Sequence, residues 1–411
     1  MPFRITAFYK KKCNTAGKAT RNDPSMTSEN QSLPHVLGSS PRLAYVDGLR
    51  GVAAAMVVAY HMINAAHRTY PETIPDWLLR IGSFGRYGVD IFFVLSGFVI
   101  ALSLTKAQPL WSYAGRFILR RSIRLDPPYW VAIALETGII ALIAAADPSY
   151  HVPIPSVQQV GAHLIYAQDL LGLGNIAPVF WSLCYEVQFY LISIFCVVAL
   201  LKCSHRTIST PRLMQAANAT LWLTCLASAV LYITAVPDIL PGLFVDRWFQ
   251  FSLGAILLLA TLGSRNAYAI AALASVIFVT AVTGSSNEYR MMSTLATLAT
   301  VGIMAWAMRS RRIRSILSLP SVQFLGATSY SLYLVHTIIG ERVVVAAGRA
   351  IESGLVSMVF ALVAGAIASL LGAYFLYRLV EIPSMNLAHR IRLRRKPGAG
   401  SEAPVAPLWD S

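Results

Sequence analysis

RFILRRSIRLDPPYWVAIALETGIIALIAAA, residues 116–146, decides what kind of protein this is. Its first part stacks Arg116, Arg120, Arg121 and Arg124, while the stretch from Pro127 to Ala146 carries one charge, Glu136. About 20 apolar residues wound as a helix reach about 30 Å, the thickness of a bilayer's hydrocarbon core. Arginines crowded at one end of such a run mark the cytoplasmic side. The span is expected over 126–146, with Asp126 and the Pro127–Pro128 pair breaking the helix where the chain enters the membrane.

The same pattern repeats on either side. Further spans are expected at 44–65, 84–104, 180–201, 217–236, 241–262, 266–283, 290–308, 322–347 and 354–380. The fold class is therefore all-α, a polytopic transmembrane bundle of about ten helices. Lys/Arg bias orients it: Lys106 and the Arg116–Arg124 run, then Arg309, Arg311, Arg312 and Arg314, alternate with loops almost free of positive charge. Between Arg124 and Lys202 there is no Lys or Arg at all. Both termini are thereby placed in the cytoplasm.

Composition agrees. Of the 411 residues, 56% are hydrophobic and 13% charged, where a soluble domain carries roughly 25% charged. The net charge of +15 sits in short loops, which suits anionic lipid and excludes a nucleic-acid surface. Cys13, Cys184, Cys196, Cys203 and Cys225 show no metal or C-x-x-C spacing and read as packing residues. Residues 1–43 read as a disordered basic cytoplasmic tail without a signal-peptide cleavage site, Met26 being an alternative start. The membrane domain is expected over 44–383, and 384–411 as a cytoplasmic tail with no appended extracellular domain.

Ionisable side chains within spans cost several kcal/mol and point to function. The first span carries Asp47, Arg50 and His61. Eleven residues separate Arg50 from His61, three turns plus about 20°, so both lie on nearly one face about 16.5 Å apart. Ala54 and Val57 lie between them and leave a slot, and Asp47 is placed to pair with Arg50. The plainer reading is a snorkelling arginine and a hydrogen-bonded core histidine. Arg116, Arg120 and Arg124, with Arg121 adjacent, stack guanidiniums suited to phosphate, or else simply mark topology. Asp90 opens the second span with Arg86 four residues before it as its neutralising partner. Glu186 and Gln188 sit in an aromatic-rich stretch, where Glu186 suits orienting a histidine. In the ninth span Ser329, Tyr333 and His336 share a face. Glu136 has no evident role, and Glu381 is expected to pair with Arg378.

Six strings, VDGLRGVAAAMVVAYH, YGVDIFFVLSGFVI, RFILRRSIRLDPPYW, FWSLCYEVQFYLI, TSYSLYLVH and LVEIP, occur in order over about residues 44–383. Together they resemble the membrane acyltransferase 3 family, which O-acylates lipopolysaccharide, exopolysaccharide, nodulation factors and macrolides. The resemblance implies transfer of an acyl group, by family habit acetyl, from cytoplasmic acyl-CoA to a hydroxyl of a carbohydrate or glycolipid acceptor. Acetyl-CoA is then a co-substrate, with no permanently bound cofactor and no metal. The family's Arg-x10-His falls on Arg50 and His61, and its Arg-x-x-Arg, associated with the acyl-CoA donor, on Arg121 and Arg124. The acid of WSL-x-x-E falls on Glu186 and the late histidine on His336. Cys184 and Tyr185 stand where small or aliphatic residues are common.

On this reading Arg50, Arg120, Arg121 and Arg124 bind acyl-CoA, and His61 is the base, with Glu186 orienting it. His336, Ser329 and Tyr333 contact the oxyanion or the acceptor, and Asp47, Asp90 and Gln188 support the site. An acyl-enzyme route stays open. The other reading from a different class is a transporter or flippase of a lipid-linked saccharide, whose paired broken helices are not visible here. A scaffold without activity is a third. The expected location is the inner or plasma membrane.

Overall fold

The long apolar runs among the described residues are wound as helix in the computed structural model, which describes residues 43–147, 152–204, 210–234, 242–262, 267–285, 287–350 and 354–393. Among the described residues there is no strand. The basic N-terminal stretch and the residues after 393 lie outside that set. Helix is the physical requirement, because hydrocarbon offers no partner for a backbone N–H or C=O.

The elements are α1 (Ala44–Thr69), α2 (Asp76–Ser83), a 3-10 turn (Phe84–Tyr87), α3 (Gly88–Leu104), α4 (Trp111–Ala146), α5 (Val157–Leu164), α6 (Trp181–Ser204) and α7 (Thr210–Ile233). A 3-10 turn (Phe244–Asp246), α8 (Trp248–Leu262), α9 (Ala267–Gly284), α10 (Glu288–Arg309), α11 (Arg311–Leu317), α12 (Pro320–Ala327) and α13 (Ser329–Val335) follow. A π turn (His336–Glu341) joins α13 to α14 (Arg342–Ala350), and a second π turn (Tyr377–Glu381) joins α15 (Leu355–Leu376) to α16 (Ile382–Arg390).

Among the described residues, seven helical stretches are long and apolar enough to cross a bilayer: Ala44–Thr69, Asp76–Leu104, Trp111–Ala146, Trp181–Cys203, Glu288–Arg309, Ser329–Ala350 and Leu355–Arg390. Three shorter apolar helices, Asn218–Ile233, Trp248–Thr261 and Leu273–Gly284, complete the order expected from the sequence. Leu142, Val356, Phe360, Leu371 and Phe375 point outward and exposed, a surface that only lipid suits. This is a multi-pass helical membrane protein.

Helices meet where side chains shrink. Gly97 of α3 lies against the Phe251 carbonyl of α8, and Gly254 of α8 lies against the Val94 carbonyl of α3. Small residues let two backbones touch, which replaces the hydrophobic drive that lipid cannot supply. Gly51 similarly seats α1 on Gly326 of α12, which brings the start of α13 alongside Arg50.

Three expectations are corrected. Pro127 and Pro128 do not break a helix, since α4 runs unbroken from Trp111 to Ala146. Beside the proline pair Tyr330 Oη donates to the Leu125 carbonyl at 2.8 Å, tying α13 to α4 at that point. Arg86 does not neutralise Asp90, because residues 84–87 form a 3-10 turn and α-helical i, i+4 geometry does not hold there. Glu381 is buried and accepts from Ser331 Oγ at 2.6 Å instead of pairing outward with Arg378. The last helix also continues to Arg390, so the boundary expected at 383 falls inside it.

The connection between α4 and α6 folds back along α4. Tyr166 Oη donates to Asp126 at 3.0 Å, its ring stacks on Tyr129 at 4.7 Å, and Trp130 Nε1 donates to the Leu164 carbonyl at 3.3 Å. Asp126 lies twenty residues before Ala146, about 30 Å down the helix. The sequence reading of this stretch as an external loop missed that return.

Candidate functional site

Two polar groups lie along α1. The first surrounds Arg50. Its Nε reaches Ser329 Oγ at 3.4 Å. Beside it a narrow cleft is lined by Arg50, Ser96, Ser182, Glu186, Ser329 and Tyr333, with Phe92 and Phe93 on the apolar side. Glu186 accepts from Ser96 Oγ at 3.0 Å and from Arg121 Nη2 at 3.3 Å. Arg121 also lies 5.0 Å from the Tyr190 ring, and its Nε has no partner in the protein. Arg124 stays exposed while within electrostatic range of Arg50, Arg121, Glu381 and Asp47. It therefore lines a crevice that solvent enters. Arg120 faces the last helix, within electrostatic range of His389.

The second group surrounds His61. Its Nδ1 lies 2.8 Å from Glu341 Oε1, and Arg68 Nη2 donates to the other carboxylate oxygen at 2.6 Å. The His336 ring stands edge-on to His61, centroids 5.0 Å apart. His336 Nδ1 donates to the Leu332 carbonyl at 3.0 Å, and its buried Nε2 has no partner. With Glu341 accepting the Nδ1 proton of His61, Nε2 is left as the basic nitrogen. Tyr333 connects the two groups: its hydroxyl is 2.6 Å from Ser182 Oγ in the cleft, and its ring is 5.9 Å from His336.

One turn of unusual winding builds this group. In an α-helix Glu341, five residues after His336, would point about 140° away from it. The i→i+5 winding of His336–Glu341 reduces that angle and turns both side chains toward α1. A second pair holds the turn from the other side, Arg342 giving Glu136 two bonds of 2.7 and 2.9 Å. That pair supplies the partner the sequence reading lacked for Glu136.

The expected residues are thus partly assembled. His61 and His336 meet, as do Arg50 and Ser329. Glu186 does not orient His61, because α6 brings it to Arg121 and Ser96, and Glu341 occupies that position. Gln188 holds the loop before α8, donating to the Gly242 carbonyl and accepting from Phe244 N. Asp90 is buried, accepts from Gln250 Nε2 at 2.6 Å and Ser293 Oγ at 2.7 Å, and has Arg247 at 3.7 Å. Glu341, Arg68, Ser182 and Arg247 were missed. Adjacency to Arg342 near the end of a span disguised Glu341 as one of a surface pair.

A family model described as an acyltransferase domain, of the acyltransferase 3 group, matches residues 43–378. The chain belongs to the acyltransferase 3 family. Among its relatives, BcsY of Komagataeibacter xylinus, a proposed membrane-bound transacylase, is 27% identical over 227 residues, 51% of this chain and 50% of that protein. The peptidoglycan O-acetyltransferase OatA of Listeria monocytogenes is 30% identical over 163 residues, 36% of this chain and 23% of the relative. Nodulation protein 10 of Rhizobium leguminosarum is 27% identical over 158 residues, 35% of this chain and 41% of the relative. The chain aligns with half or less of each relative's length. No solved structure matches it.

Proposed function

We propose that this protein is an O-acyltransferase that moves an acetyl group from acetyl-CoA to a hydroxyl of a saccharide acceptor. The observation that carries the reading is the His61–Glu341 pair, 2.8 Å apart, about 16.5 Å along α1 from the arginine crevice. A base and a phosphate-binding crevice at that separation suit a donor with a long arm between its charged head and its thioester.

In this reading Arg50, Arg120, Arg121 and Arg124 hold the phosphates of the donor at the cytoplasmic side of the inner or plasma membrane. Glu186, shared between Ser96 and Arg121, keeps the Arg121 fork directed into the cleft. The pantetheine arm passes Ser329 and Tyr333 toward the histidines. His61 Nε2 takes the proton of the acceptor hydroxyl as the oxygen attacks the thioester carbon. The C–O bond forms, the C–S bond breaks, and the thiolate of CoA recovers a proton from the imidazolium. Glu341 holds His61 in the required tautomer and balances the charge it gains, as carboxylates do beside catalytic histidines. His336 and Tyr333 border the reacting carbonyl.

The relatives support the chemistry in part, since one is named for O-acetylation of peptidoglycan and another for transacylation. The test is acetyl-CoA binding and acetyl transfer by purified protein. Arg121→Ala/Arg124→Ala should abolish donor binding, while His61→Ala should keep binding and lose transfer. A wild type that stays folded and binds no acyl-CoA would remove the donor from the proposal.

A further inference from the structure

The far end of the cleft, away from Arg50, opens on side chains that neither the arginine crevice nor the histidine pair uses. Val89, Phe93 and Ser182 line that end. Trp181, beside Ser182, meets Phe93 edge-on at 6.1 Å and carries the Arg247 guanidinium over its ring at 5.6 Å. Arg247 in turn lies 4.4 Å from the Tyr232 ring. Arg86, three residues before Val89, stacks on Tyr87 at 5.1 Å and on Tyr289 at 4.9 Å. Ser182, next to Trp181, lies 2.6 Å from the hydroxyl of Tyr333, the residue that adjoins His336. The group therefore borders the proposed reaction centre through the start of α6.

Its composition differs from that of the arginine crevice. Trp181, Tyr289, Arg86 and Asp246 are each half-buried and Arg247 is more deeply set; Trp181 also meets Tyr185 edge-on at 5.6 Å, and Tyr289 stacks on Tyr87 at 5.8 Å. Behind them Asp90, Gln250, Ser293 and Thr297 form a fully buried network that fixes Arg247 from below. Asp90 and Asp246 stand 3.7 and 3.6 Å from Arg247, so the central cation is already matched and is no trap for a polyanion. At the rim itself Arg86 supplies a donor and Asp246 an acceptor. Flat rings bordered by both donors and acceptors match a pyranose, which has an apolar C–H face and hydroxyls that both give and accept. A lipid tail would leave the polar edges unpaired, at a cost.

We propose that Trp181, Arg247, Tyr289 and Arg86 form the acceptor subsite, and that its ligand is an uncharged stretch of saccharide chain stacked on Trp181 and Tyr289. This rests on the acyltransferase reading and adds where the acceptor lies and what kind of surface it needs.

The test uses full-length protein, purified in detergent and also expressed in source cells deleted for the chromosomal copy. Acetyl-CoA affinity and melting temperature are measured on the first, and alkali-labile acetate on purified surface glycans from the second. Arg86→Gln and Tyr289→Ala should lower glycan acetate at least tenfold with acetyl-CoA affinity within twofold of wild type. Tyr289→Phe, which keeps the ring, should retain at least a third. Should Tyr289→Ala fail to fold, benzoylphenylalanine at position 289 provides a second measurement. Irradiated cells should yield a glycan adduct there and none with the same residue at lipid-facing 371. Normal glycan acetate in folded variants, or no adduct at 289, would overturn the subsite. A parallel fall in acetyl-CoA affinity would overturn it too, giving the rim to the donor. Absence of glycan acetate and of transfer in wild type would instead sink the acyltransferase reading itself.

Discussion

Glu341→Gln tests the proposed chemistry with the least disturbance. The amide keeps the shape of the side chain and leaves both neighbours, His61 and Arg68, within reach, but it removes the charge. His61 and Glu341 are 17% and 16% exposed, so water weakens their interaction without cancelling it. A hydrogen bond to a charged group in such a setting contributes about 1.5–3 kcal/mol, here as support for the imidazolium formed during transfer. At about 1.36 kcal/mol per tenfold in rate, the variant should transfer acetyl roughly 10- to 150-fold more slowly. Acetyl-CoA affinity should not change, because Arg50, the residue that α1 gives to the crevice, lies eleven residues before His61 on that helix. Arg68→Ala is the matched control. Arg68 is 58% exposed, and exposed ion pairs contribute little, so its loss should slow transfer by less than about fivefold. The assay is single-turnover transfer at saturating donor, with donor binding measured separately. Wild-type rates in Glu341→Gln, or an equal loss in Arg68→Ala, would refute the assignment of Glu341 as the partner of His61.

Other expectations follow from the same contacts. Glu136→Ala removes the carboxylate that takes two bonds from Arg342 and should cost about 1.5–3 kcal/mol of stability, read as a lower melting temperature in detergent; Glu136→Ala/Arg342→Met should recover most of it. Gly254→Leu should give no monodisperse protein, because the new side chain meets the Val94 carbonyl, whereas Gly115→Ala, with nothing within 4 Å, should purify normally. His163, outside the spanning helices, donates from Nδ1 to the Gln159 carbonyl and accepts from Ile176 N on Nε2 at 3.0 Å. Burial holds its pKa below the ordinary 6.5, so the stability it lends is complete above about pH 6.5 and lost as pH falls toward its folded value. Protection factors across residues 156–176, taken against the intrinsic exchange rate at each pH, should fall between pH 7 and pH 5, and His163→Gln should remove that pH step. Protection independent of pH in wild type would contradict it.

Hydropathy gave the helical membrane bundle because it is a property of single residues added over a window. Arg50 and Ser329 were also legible, the first from its position on α1 and the second from its place at the start of α13. What the sequence hid depends on winding that departs from 3.6 residues per turn. Arg86 and Asp90 look like an i, i+4 pair only if residues 84–87 are α-helical, and they are not. Glu341 looks remote from His336 only if the π turn is ignored. Glu186 shows a different limit: its stretch predicted a buried acid, but which histidine or arginine it meets is set by how α6 packs on α3 and α4. The backtracking connection through Tyr166 was invisible for the same reason.

The length of α4 has a consequence for the energetics of the proposed donor. Its 36 residues extend about 54 Å against a hydrocarbon thickness of about 30 Å. Its apolar part is the C-terminal portion, so the excess carries Arg116, Arg120, Arg121 and Arg124 toward the headgroup layer. A ligand with several phosphates can then be held without its charges ever being stripped of water in hydrocarbon. Only its slender, nearly neutral arm has to travel inward. The helix acts as a gangplank, leaving the costly part of the molecule on the shore.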